Sequence, residues 1–140
     1  MSDAAPQRVG GVRRWASALH VLLAVLIVVG VVVQVYLIGA YIFGAGKGAL
    51  DAHKGVGFAL HSGEILLLLV ALAAWLPKAD LWLSVGMAVV GTAQIALASA
   101  DKWAGGLHPL FALIVLALAF LLADRGVRRV RNSPRFALRT

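Results

Sequence analysis

The chain of 140 residues has no cysteine, six acidic residues and four prolines. Without thiols it forms no disulfide, no thiolate metal site, no cysteine-ligated iron–sulfur cluster and no covalent c-type haem attachment, which leaves histidine as the main candidate metal ligand. Charge is also scarce. Only 14% of residues are charged against 61% hydrophobic, and the mean hydropathy of +0.91 lies far above that of an ordinary soluble domain. No nucleophile–base constellation, phosphate-binding glycine loop or metalloprotease signature is present. What is present is apolar sequence long enough to occupy nearly the whole chain, so chemistry is expected between helices or at their ends.

The charge-free stretches define four expected membrane spans. The first covers 15–43, longer than the roughly 20 residues that cross a hydrocarbon core, so it must tilt or project. The second covers 52–76 and is expected to end at Pro77; the third covers 81–100, between Asp80 and Asp101; the fourth covers 107–123, after Gly105 and Gly106, and a basic tail follows over 124–140. A cleaved signal peptide does not account for the N-terminus, because its apolar run is too long and no small-x-small site precedes a soluble chain. The expected fold is all-α: one integral membrane domain, a four-transmembrane-helix bundle in up-down-up-down order. Its longest loop is expected over 44–50.

Lysine and arginine set the orientation. Arg8, Arg13, Arg14, Lys78, Arg125, Arg128, Arg129, Arg131, Arg135 and Arg139 fall on one side, and Lys47, Lys54 and Lys102 on the other. The positive-inside rule then places both termini in the cytoplasm of a multi-pass protein of the inner (plasma) membrane. The net charge of +7 belongs to residues that flank apolar spans. Anionic lipid headgroups are therefore the expected partner, and nucleic acid is not.

Polar residues inside the spans carry the functional information, since ionisable groups there are costly and face a bundle interior. They are His20, Gln34, His53, His61, Glu64, Gln94 and His108. His53, Gly57, His61 and Glu64 fall at i, i+4, i+8 and i+11, one stripe of a helix. Two axial imidazoles on one iron must lie at one depth. His53 opens the second span and His108 the fourth, both from the outer side, whereas His61 lies about 12 Å deeper than His53 and His20 enters from the cytoplasmic side. Gly57 and Ala112, four residues after the two histidines, leave space one turn below each. Gln34 and Gln94 bring polar groups from the other two spans, with interhelical hydrogen bonding as their ordinary role. His20 is expected at the interface. Glu64, about 16 Å deeper than His53, must be protonated, paired or wetted, with His61, Gln94 or His20 as partner.

Three segments carry a resemblance: Val33-Gln34-Val35-Tyr36-Leu37-Ile38-Gly39, His53-Lys54-Gly55-Val56-Gly57 and His108-Pro109-Leu110-Phe111-Ala112. They resemble a family of small four-helix bacterial membrane proteins of unknown function. More distantly, over most of residues 20 to 125, they resemble one four-helix half of haem A synthase, in which histidines opening the second and fourth helices of a half coordinate haem. The architecture is also similar to that of membrane cytochromes b. The resemblance implies haem b between His53 and His108. The chain departs from haem A synthase in having one half rather than two, and only Asp51 where an essential glutamate precedes the ligand histidine, so oxygenase activity is not carried over.

Two functions are compatible with these residues. One is a b-type haem protein that passes electrons between a membrane quinol and an acceptor near the outer face, or that senses or handles haem. The other is a cofactor-free transporter or accessory subunit, as a homo-oligomer or in a larger membrane complex, with Glu64 and His61 as its protonation site or proton relay.

Overall fold

In a computed structural model the chain is all-helical; residues 4–131 are described, with side chains from Gly10 onward. The helices are α1 (Ala4–Ile42), α2 (Lys47–Ala73), α3 (Lys78–Leu97), the single turn α4 (Lys102–Gly105) and α5 (His108–Arg131). Four of them are long and apolar enough to cross a membrane, α4 and α5 together forming the last such segment. At 39 residues, α1 is about 58 Å long, nearly twice the thickness of a hydrocarbon core, so it projects beyond any bilayer it crosses.

Helix ends differ from those expected because charge marks where hydrocarbon stops, whereas caps and turns mark where a helix stops. α2 begins at Lys47, not 52, after Gly46 turns the chain at φ 81°. The expected 44–50 loop is thus shorter, its second half being the first turn of α2. That helix also ends four residues before Pro77, where Trp75 adopts a left-handed φ of 52° and the Leu76 amide donates back to the Ala71 carbonyl at 3.2 Å. α5 runs eight residues past 123 through Arg125, Arg128 and Arg129, so the first part of the expected tail is helical. The Arg8 side chain, Arg135 and Arg139 lie outside the described residues.

Packing is cyclic: α1 and α3 each lie against both α2 and α5. The core consists of Ala24 and Ile27 from α1, Leu67 from α2, Met87 from α3 and Val115, Ala119 and Leu122 from α5, all at most 2% exposed. Exposed large apolar residues such as Leu22, Leu26, Val29, Leu69, Trp82, Val89 and Phe120 cover the outer surface. A water-soluble domain inverts this distribution; a lipid-facing one does not.

Candidate functional site

His53 near the start of α2 and His108 at the start of α5 come together, their ring centroids 6.3 Å apart and their planes at 73°. Each ring is oriented by a backbone carbonyl on a neighbouring helix. His53 Nδ1 donates to the Gln34 carbonyl of α1 at 3.1 Å, and His108 Nδ1 donates to the Gln94 carbonyl of α3 at 2.9 Å. A carbonyl only accepts, so both rings carry their proton on Nδ1 when neutral, and Nε2 presents its lone pair. Metal-binding histidines are commonly oriented in this way, a donated Nδ1–H fixing the tautomer and raising the basicity of the opposite nitrogen. The same arrangement occurs twice, once between α1 and α2 and once between α3 and α5.

The glutamines act differently from expectation. Among the described residues neither side-chain amide makes a hydrogen bond, and Gln34 Oε1 is buried without a partner. Their main-chain oxygens are the acceptors instead. The space beside Gly57 holds the Gln34 amide, whose nitrogen lies 2.7 Å from where a β-carbon would stand. Gln34, Gly57, Gln94 and Ala112 then line a cavity of about 20 Å³ that also reaches His61 and Glu64, room for one water molecule.

At the floor of this cavity Glu64 is 3% exposed, and its Oε2 accepts from His61 Nδ1 at 3.0 Å. His61 is thus the partner; Gln94 shares the cavity, and His20 does not approach. His20 is buried in the bundle, at 1% exposure. Its Nε2 lies 3.2 Å from Ser84 Oγ, and the Ser84 hydroxyl donates to the Asp80 carbonyl at 2.8 Å. With the serine proton committed, Nε2 of His20 must be the donor, and its buried Nδ1 has no partner.

Asp80, in the first turn of α3, lies inside the bundle at 1% exposure. Arg125 Nε reaches its Oδ1 at 2.5 Å and Arg129 Nη2 pairs with its Oδ2. This group joins α3 to the end of α5. Its only sequence signal is the i, i+4 spacing of Arg125 and Arg129 on one helix.

Among the described residues, no three His, Asp or Glu side chains converge as an all-protein metal site requires. No protein-family model matches the chain, and no curated protein or solved structure shows significant similarity to it.

Proposed function

We propose that the chain is a b-type haem protein of the plasma membrane, an up-down-up-down bundle with both termini cytoplasmic, in which His53 and His108 hold one haem b. The observation that carries this is the paired, carbonyl-oriented imidazoles. Two rings bound at about 2 Å on opposite sides of one iron have centroids about 6 Å apart, in accord with the spacing of 6.3 Å found here. The Gln34 and Gln94 carbonyls fix the ligands; Ala112 is a small neighbour, and beside Gly57 the macrocycle takes the space now held by the Gln34 amide, which swings aside when haem binds. A haem so bound supplies one-electron redox chemistry with no open coordination position, which favours electron transfer from a membrane quinol to an acceptor near the outer face, or haem sensing and handling, over oxygen activation.

The experiment is an absorption spectrum of the detergent-extracted protein. A sharp Soret band, one haem per chain, lost in both His53→Ala and His108→Ala, supports bis-histidine ligation; a colourless protein that takes up no added haem overturns it. The hydrogen-bonded His61–Glu64 pair favours a second reading, a cofactor-free transporter or accessory subunit that uses this pair as a proton site. In that case Glu64→Gln abolishes proton-coupled uptake by a protein that has no haem spectrum.

A further inference from the structure

At the end of the molecule remote from the two histidines, a groove of about 580 Å³ opens between the start of α1, the turn between α2 and α3, and the end of α5. Its volume falls within the range of small-molecule sites. Three guanidinium groups line it, Arg13, Arg14 and Arg129, and no carboxylate does. Arg129 shares Asp80 with Arg125, so one buried anion there faces two cations. Arg13 leans on the carbonyls of Ala74 and Trp75, each at 3.4 Å, a long contact that neutralises no charge. The groove therefore carries an excess of positive charge next to an apolar wall of Ala18, Leu76 and Pro77.

We propose that this groove binds one anionic phospholipid, the arginines holding its phosphate and Trp75 and Leu76 receiving its glycerol region. Guanidinium groups suit the phosphate because they offer paired, planar donors. Two further observations specify a lipid rather than a water-soluble anion. Arg14, Ala18, Leu22 and Leu26 follow at four-residue intervals along α1, so a slanting row of adjacent side chains leads from the charged groove to leucines that are 53% and 52% exposed, a track for an acyl chain. Trp75 is held at φ 52°, a conformation costly for a residue with a β-carbon, and presents an indole that is 76% exposed beside the groove. Tryptophan prefers the headgroup level of a membrane.

Native mass spectrometry of the full chain in detergent tests the site, with phosphatidylglycerol and phosphatidylcholine of matched acyl chains as probes. The expected result is one tightly held phosphatidylglycerol per chain, bound in preference to phosphatidylcholine and not displaced by equimolar inorganic phosphate. Arg14→Gln, at an exposed residue with no acidic partner among the described residues, weakens it roughly fivefold. Arg131→Gln and Lys78→Gln, charges that do not line the groove, leave it unchanged. Equal affinity for the two lipids, equal loss in the control variants, or displacement by phosphate overturns the proposal: the first two reduce it to general surface charge and the third to an anion site without a lipid. Helical circular dichroism of each variant confirms that loss of binding is not loss of fold.

Discussion

The carboxyl group of Glu64 on α2 occupies the space directly over Gly91 on α3, so closely that a β-carbon at position 91 would overlap it. Glycine is required there by the approach of a side chain rather than by backbone conformation. Gly91→Ala is expected to destabilise the bundle by about 1–3 kcal/mol, the usual cost of overpacking. The Glu64→Ala, Gly91→Ala pair should be less unstable than the two single effects added together, because removing the carboxyl frees the space that the methyl needs. Thermal unfolding of the four proteins in one detergent measures the coupling; strict additivity would contradict the contact.

Asp80 supports a second prediction. Replacing it by asparagine leaves Arg125 and Arg129 facing each other without the carboxylate that both contact. Loss of one partner from a buried ion pair typically costs about 3–5 kcal/mol, but these arginines are 41% and 32% exposed, so water recovers part of it and about 1–3 kcal/mol is expected. Adding Arg125→Met should restore part of the stability by removing one of the two uncompensated charges. Unfolding by denaturing detergent reads both effects.

How far the sequence revealed this site follows from the kind of signal each residue gives. Helices and apolar surface were legible because a span needs an uninterrupted apolar run, and the His53–His108 pairing was legible because depth follows from position along a helix. The carbonyl acceptors were not: every residue has a main-chain oxygen, so side-chain identity cannot show that those of Gln34 and Gln94 orient the histidines. The pairing of Asp80 with Arg125 and Arg129 is not legible either, because counting charges does not show which charges of distant segments meet. The burial of His20 is of the same kind: it depends on Ser84, 64 residues away, accepting its proton.

Trp75 supports a third prediction, at the level of the backbone. A non-glycine residue in the left-handed region costs about 1–2 kcal/mol, and glycine there gives back part of that gain through its freer unfolded state. Since the indole is 76% exposed, little packing is lost with it. Trp75→Gly should therefore raise detergent stability by about 0.5–1 kcal/mol, measured as an increase in Tm. A decrease would mean that the side chain packs in solution in a way its exposure does not suggest.

The final prediction concerns the route by which Glu64 exchanges its proton. On each helix an apolar stretch separates the polar cavity from the His20–Ser84–Asp80 group: Ala24 and Ile27 between His20 and Gln34 on α1, Leu67 beyond Glu64 on α2, Met87 between Ser84 and Gly91 on α3, and Ala119 and Leu122 between Ala112 and Arg125 on α5. All six are at most 2% exposed and belong to one packed cluster. A layer this dense excludes a file of water, and a proton does not cross it without one. On the side of His53 and His108, by contrast, the cavity is lined by the polar side chains of Gln34 and Gln94. Glu64 should therefore equilibrate with the solution on that side alone, and the protein should not conduct protons across the membrane. With the chain oriented in vesicles, a pH jump on the histidine side should change the infrared carboxyl band assigned to Glu64 by its absence in Glu64→Gln, while the same jump on the Asp80 side should leave it unchanged until the pH gradient has dissipated. Met87→Ser, which places a small polar residue in the middle of the layer, should make the response two-sided. A two-sided response in the unmodified protein would show that the apolar layer opens, and would move the His61–Glu64 pair from a local proton site to part of a transmembrane path.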